Sequence, residues 1–204
     1  MASSLPRPSA VCLRGQLSSN VRHHEETAPH SALPHHFSSL LPKSAYALGA
    51  LLSLVSVTAA GIVGGVLHAV LGNDGVGASA AGALLSAREP WLFLSAVLIV
   101  PAVETLIGQL MPIELLRRAK APAALSLAAS ALVFGLGHYL NGGLGHGLTS
   151  FVAGLVFAFA YLAHRTHSAT QAFACAWCCH ASHNCFFLYV IAPIATVLTV
   201  RGDA

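Results

Sequence analysis

Four polar side chains within apolar stretches are the residues of this chain best suited to chemistry: Glu104, His138, His180 and Asn184. A carboxylate beside an imidazole can take a proton from water and turn that water into a nucleophile. A second imidazole and a carboxamide can donate hydrogen bonds to the oxyanion that forms when the water attacks a peptide carbonyl. The four residues therefore predict hydrolysis of a peptide bond without a covalent intermediate.

Each of these residues also has a purely structural interpretation. Glu104 can be protonated and simply bond a neighbouring helix, and a single histidine in a membrane helix is often a hydrogen-bonded packing residue. A polar group at the centre of a membrane span costs about 3 kcal/mol and usually faces a protein-lined cavity. Because the four residues lie on three different apolar runs, we favour a shared site. His68 and His146 lie near the ends of their runs, where an imidazole can reach water, and are left out of the site.

The residues required by other intramembrane protease chemistries are missing from the sequence. It has no H-E-x-x-H for a zinc metalloprotease and no G-x-S-x-G nucleophile turn. An aspartyl mechanism needs two aspartates in the membrane. The aspartates here, Asp74 and Asp203, lie outside the confident spans.

The composition places these residues in a membrane protein. Of 204 residues, 55% are hydrophobic and 8% are charged, whereas a soluble domain has about 25% charged residues. The net charge of +3 forms no basic stripe, so we expect no nucleic-acid partner. The expected partners are the lipid bilayer and a peptide or protein substrate.

The hydropathy pattern predicts an all-α class, a polytopic transmembrane helix bundle with about five spans. Residues 1–43, rich in Ser, Pro and His, are expected to form a disordered N-terminal tail. Residues 44–204 form the transmembrane helical domain. Its apolar runs cover residues 45–71, 91–116, 122–140, 144–163 and 169–190, each close to the roughly 20 residues that cross a bilayer.

Particular residues refine this segmentation. Pro101 should bend the second run. Gly61 and Gly65 form a small-x-x-x-small pair that would let another helix pack closely. Asn73-Asp74-Gly75 predicts a turn, and the Ala-rich residues 76–87 after it can form a short interfacial helix.

The turn near Lys120 lies almost midway between Glu104 and His138. In an antiparallel hairpin both side chains therefore reach a similar depth. Five spans put the basic turns that follow Arg118 and Arg165 on the same side as the basic tail. By the positive-inside rule this side, with the N-terminus, is cytoplasmic.

Four of the five cysteines, Cys175, Cys178, Cys179 and Cys185, share one apolar run. Because a disulfide framework spaces its cysteines through loops, we interpret them as small buried apolar residues. Cys175-x-x-x-Cys179-His180 also resembles a haem-attachment sequence with one extra residue. A membrane carrier that binds metal or haem is therefore one alternative function.

Three motifs together resemble the family of type II CAAX prenyl endopeptidases and bacteriocin-processing enzymes, also called the Abi family. That family has E-E-x-x-x-R, then F-x-x-x-H, then H-x-x-x-N or H-x-x-x-D on separate membrane helices. The matching residues here are Glu104 to Gln109, Phe134 to His138, and His180 to Asn184. The resemblance covers a protease-like core of about 91–190.

The resemblance implies a role for each residue. Glu104 would be the general base assisted by His138, while His180 and Asn184 would bind the oxyanion. Alternatively, Glu104, His138 and His180 would ligate a catalytic zinc ion, so the cofactor is none or Zn. The expected location is the bacterial cytoplasmic membrane.

Two residues depart from the family pattern. Thr105 replaces the second acidic residue and Gln109 replaces the arginine. Together with Phe134 they are expected to support the catalytic residues, with Thr105 and Gln109 forming a neutral hydrogen-bonded pair. The departures fit an active enzyme, which we favour, or a non-catalytic immunity or scaffold protein of the same fold. His183 matches no motif position and is interpreted as structural.

The tail gives a first prediction. Deletion of residues 2–40 should leave membrane insertion and cleavage intact, because this segment lacks the apolar residues needed to pack on the bundle. Membrane fractionation and an assay of cleavage would check this. Loss of folded protein on deletion would show that the tail packs on the domain.

Overall fold

In the computed structural model, residues 42–76 and 89–194 are described, and this part of the chain is helical with short connections. The helices are α1 (Ala45–Val76), α2 (Glu89–Arg118), α3 (Ala123–Arg165) and α4 (Ala169–Phe186), the last continued by a π-helical turn at Phe187–Ile191. The predicted all-α class is confirmed for these ranges. Most of the expected tail and of the Ala-rich segment lies outside the described residues.

Two glycines with positive φ interrupt the long helices. Gly72, with φ 68°, ends the apolar part of α1 just before the predicted turn. Gly143, with φ 78° and ψ −170°, reverses α3. Residues other than glycine rarely adopt such φ values, so glycine suits both positions.

The reversal at Gly143 makes α3 a tight hairpin. A straight helix of 43 residues would be about 65 Å long. Instead, a Cβ placed on Gly135 would lie 3.0 Å from the carbonyl oxygen of Gly147. Residues 123–142 and 144–165 are therefore two arms that pack antiparallel, and the absence of side chains at Gly135 and Gly147 permits this close approach.

Three helices are long and apolar enough to cross a membrane: Ala45–Gly72, Glu89–Arg118 and Ala123–Arg165. They make the chain a membrane protein by length and composition. The expected count of about five spans is not confirmed by these criteria. Helix α4 does not meet them, and they treat both arms of α3 as one helix.

Helix α2 is irregular on both sides of Pro101, with π-helical stretches at Phe93–Ile99 and Leu106–Leu110. In the first stretch the N–H of Val100 donates to the carbonyl of Ser95, five residues back. The same pattern would pair the Ala96 carbonyl with residue 101, but proline has no N–H to donate.

Side chains of α4 satisfy the carbonyls around this break. Asn184 Nδ2 donates to the carbonyl of Ala96 at 2.9 Å, and Trp177 Nε1 donates to the carbonyl of Leu98 at 3.0 Å. Since an unpaired carbonyl in a membrane costs several kcal/mol, roughly 2–7, these bonds fix α4 against α2.

Helices α1 and α4 approach each other closely at small residues. Gly49 of α1 lies so close to α4 that a Cβ there would be 2.5 Å from the Cys175 carbonyl oxygen. Cys175 and Cys179 are fully buried, and the four cysteines of the described part are free thiols. The burial of Cys175 and Cys179 agrees with their interpretation as small buried apolar residues, whereas Cys178 and Cys185 are only half-buried.

Gly61 and Gly65 do not take the packing role expected of them. A Cβ on either glycine would meet nothing within 4 Å, so no described helix packs on them. Both instead line an open cavity.

A cluster of charges joins the ends of α2 and α3. Arg165 makes a two-point contact with the Glu114 carboxylate, with Nη2 3.0 Å from Oε2 and Nε bonded to Oε1. Tyr161 donates to the same carboxylate at 3.0 Å, and Arg117 Nε lies 3.4 Å from it. The two basic turns therefore lie at the same end of the bundle.

The packing around the glycines of α1 predicts opposite effects of one substitution. Gly49→Ala should lower the free energy of unfolding by about 1–3 kcal/mol, because its methyl group overlaps the backbone of α4. Gly61→Ala should be neutral or stabilise by up to about 1 kcal/mol through helix propensity. Thermal unfolding of both variants in detergent checks this, and equal midpoints would contradict the close α1–α4 approach.

Candidate active site

A cavity of about 710 Å³ lies within the bundle, and every described helix contributes to its wall. Most of the lining side chains are apolar. The four predicted catalytic residues, Glu104, His138, His180 and Asn184, all line it. The structure therefore brings together in one cavity the residues that the motifs selected.

Glu104 lies between two imidazoles. Its Oε2 is 3.4 Å from His180 Nε2, and its Oε1 is 3.9 Å from His138 Nε2. The Glu104 side chain is 33% exposed, whereas that of His180 is 3% exposed. One oxygen of the carboxylate thus faces a buried ring and the other faces a ring that borders the open cavity.

The hydrogen bond that His138 Nδ1 makes fixes which ring nitrogen carries the proton. This nitrogen lies 2.9 Å from the carbonyl oxygen of Phe134. A carbonyl only accepts, so Nδ1 must donate. In the neutral ring Nε2 is then an acceptor, and it is the nitrogen that faces Glu104.

Thr105 contacts the Nδ1 atom of His180, as the Phe134 carbonyl contacts that of His138. Thr105 Oγ1 lies 3.4 Å from His180 Nδ1, and both residues are buried. If the hydroxyl donates to Nδ1, the neutral ring carries its proton on Nε2 and donates it to Glu104. Thr105 therefore fits a neutral support for His180 where the family pattern has a carboxylate.

Aromatic rings hold the two imidazoles in place. The Phe157 ring stacks on His180 with centroids 4.5 Å apart. The Phe134 ring meets His180 edge-on at 5.2 Å and lies 4.4 Å from His138. Phe134 thus contacts both rings. A Cβ on Gly108 would lie 2.9 Å from the Phe134 ring, so glycine is needed there for the close contact.

Asn184 lines the cavity, but one of its amide hydrogens is already used by the Ala96 carbonyl. The other amide hydrogen and Oδ1 have no bond among the described residues. Its assignment to an oxyanion remains a prediction that depends on that second hydrogen.

Gln109 does not form the expected pair with Thr105. Gln109 is fully buried, and neither amide atom has a hydrogen-bond partner within the described ranges. Thr105 instead contacts His180. Gln109 is not among the residues that line the cavity, so a neutral amide replaces the arginine without joining the predicted catalytic groups.

The zinc alternative stays a prediction. Among residues 42–76 and 89–194, no three His, Cys, Asp or Glu side chains are grouped to hold a metal ion. Glu104 instead points its two oxygens at different histidines. We therefore derive no step through a metal.

Two cavity histidines were missed by the sequence interpretation. His146 was set aside as close to water, but the reversal at Gly143 brings its ring to 4.9 Å from that of His138. His183 was interpreted as structural, yet it lines the cavity and contacts Ser56 of α1. Its spacing of three from His180 on one helix was the available signal, since such residues share a face.

Comparison with known families agrees with the motifs. The family model described as type II CAAX prenyl endopeptidase Rce1-like matches residues 86–186. This segment, which contains all four predicted catalytic residues, is similar to the Rce1-like family, and the match supports a protease function at the level of the family. No curated protein and no solved structure matches the chain.

The contact between Thr105 and His180 gives a matched pair of variants. Thr105→Val keeps the volume but loses the hydroxyl, and we expect cleavage to fall about tenfold, the equivalent of about 1.4 kcal/mol in the barrier. Thr105→Ser keeps the hydroxyl and should retain most activity. Rates measured at equal amounts of folded protein check this, and equal loss in both variants would assign Thr105 to packing alone.

Proposed function

We propose that the protein is an intramembrane endopeptidase in which Glu104 and His138 activate a water molecule. The observation that carries this proposal is the Glu104 carboxylate placed between the Nε2 atoms of two histidines, in a mostly apolar cavity, on the segment matched by the Rce1-like family. A half-buried carboxylate with two imidazole neighbours is suited to proton transfer.

The nucleophile is a water between Glu104 and His138. The 3.9 Å gap is too long for a direct hydrogen bond between Oε1 and Nε2. Both atoms accept when Glu104 is ionised and His138 is neutral, so a water can donate one hydrogen to each. Its oxygen lone pair is then free to attack a peptide carbonyl placed in the cavity.

The remaining steps balance within the site. The water oxygen bonds the carbonyl carbon, one water proton passes to Glu104, and the negative charge moves to the substrate oxygen. Two groups donate to that oxyanion: the Nε2–H of His180, which no longer faces an ionised carboxylate, and the second amide hydrogen of Asn184. Glu104 then returns the proton to the leaving nitrogen as the C–N bond breaks, which yields an amine and a carboxylic acid that ionises.

The surroundings of the site suggest how substrate arrives. The apolar walls favour a peptide or protein segment that enters from the bilayer rather than from water, and no nucleic acid is expected. We propose that α1, α2, the two arms of α3 and α4 cross the membrane in alternating directions. This makes five passes, in the bacterial cytoplasmic membrane, with the N-terminus and both basic turns in the cytoplasm.

Replacement of the base is the decisive test. Glu104→Gln should abolish cleavage while the bundle stays assembled, because glutamine keeps the volume but cannot take the proton. His138→Ala should be similarly severe. Asn184→Ala should be milder per folded molecule, with a loss of about 10²- to 10³-fold for one oxyanion donor, although it also removes the bond to the Ala96 carbonyl and should lower the amount of folded protein. Peptides released from membranes of cells that express each variant would be compared with wild type by mass spectrometry.

A control and three alternative outcomes complete that experiment. Glu89→Gln removes an exposed carboxylate of α2 outside the cavity and should leave release unchanged. Unchanged release in Glu104→Gln would instead indicate a scaffold or immunity protein, and a Soret band on purification would indicate a haem carrier. Loss of activity on chelation, restored by zinc, would replace the direct mechanism with a metal-dependent one.

A further inference from the structure

We propose that His183 is an additional hydrogen-bond donor to the substrate and that Ser56 of α1 positions it. This inference rests on the proposed endopeptidase function, which it extends by one catalytic and one positioning residue. The carrying observation is a contact of 2.9 Å between Ser56 Oγ and His183 Nδ1, which joins α1 to α4 at the cavity wall.

The environment of Ser56 decides the direction of this hydrogen bond. Ser56 is fully buried, and His183 is the partner of its hydroxyl group in the described structure. A buried hydroxyl that did not donate would cost about 1–3 kcal/mol. The hydroxyl therefore donates to Nδ1, and the neutral His183 ring carries its own proton on Nε2.

The Nε2–H of His183 is thus a hydrogen-bond donor at the cavity. Its ring also meets Phe157 edge-on at 5.6 Å, and the same Phe157 ring stacks on His180. One aromatic side chain therefore sets the positions of both α4 histidines. Nε2–H of His183 is oriented by two contacts, one polar and one aromatic.

His183 adds to the hydrogen-bond donors that Asn184 offers the substrate. One amide hydrogen of Asn184 is bound to the Ala96 carbonyl, which leaves a single hydrogen for substrate. His183, one residue earlier on the same helix, adds a second N–H. The substrate group it fits is a carbonyl oxygen that gains negative charge during the reaction.

This assignment also gives α1 a direct part in the site. Residue 56 lies outside the segment 86–186 that matches the family. The donor function of His183 therefore depends on a helix that the family match does not include.

Nuclear magnetic resonance of the full chain tests the orientation without any substrate. In detergent, the ¹⁵N shifts of histidine rings distinguish a proton on Nε2 from one on Nδ1, and comparison with His183→Gln assigns the signal. We expect His183 to be protonated on Nε2 in wild type, with a mixture of forms in Ser56→Ala. A wild-type ring protonated on Nδ1 would overturn the proposal.

Peptide release from membranes tests the catalytic part. His183→Phe keeps the ring contact with Phe157 but has no donor, and release should fall about 10²-fold. His183→Gln places an amide N–H close to the position of Nε2 and should recover part of the loss. Ser56→Ala should reduce release about tenfold.

Ser53 provides the matched control. It is also a fully buried serine of α1, but its hydroxyl donates within its own helix, to the carbonyl of Ala50. Ser53→Ala should leave both release and the His183 signal unchanged. Wild-type release in His183→Phe, where Glu104→Gln abolishes it, would overturn the donor role alone. Unchanged release in Glu104→Gln would instead overturn the proposed function, while the ring signal still reports the Ser56 contact.

Discussion

The Ala96 carbonyl, which Pro101 deprives of a backbone donor, ties the position of α4 to that of α2. Asn184 supplies the missing hydrogen, and Trp177 bonds a second carbonyl nearby. These contacts hold α4 at the depth where His180 meets Glu104. The missing backbone hydrogen bond in α2 thus fixes the position of α4, because lipid offers no competing hydrogen-bond donor.

Much of the site could be predicted from the sequence because intramembrane polar groups are costly and therefore few. Glu104 and His138 stand almost symmetrically about the Lys120 turn, and the structure places them opposite each other. The all-helical class followed from the apolar runs for the same reason. The apolar runs were also divided at residues 141–143, where α3 reverses at Gly143, but the count of about five spans is not confirmed, since α4 is too polar to qualify as a span by composition.

Other features depended on contacts that no single segment encodes. The partner of Thr105 is His180, seventy-five positions away, rather than Gln109 on the same helix. His146 reaches His138 only through the backbone conformation of Gly143. The small-residue pair Gly61 and Gly65 matched a helix-packing pattern, but neighbouring helices, not the pair itself, determine which face of α1 is covered.

The open face of α1 has an evolutionary consequence. Gly61 and Gly65 border the cavity, and added side-chain atoms there would displace empty space rather than packed neighbours. Changes at these positions can therefore accumulate without loss of the fold and without contact with Glu104, His138 or His180. Selection can then alter the width of the cavity independently of these three residues.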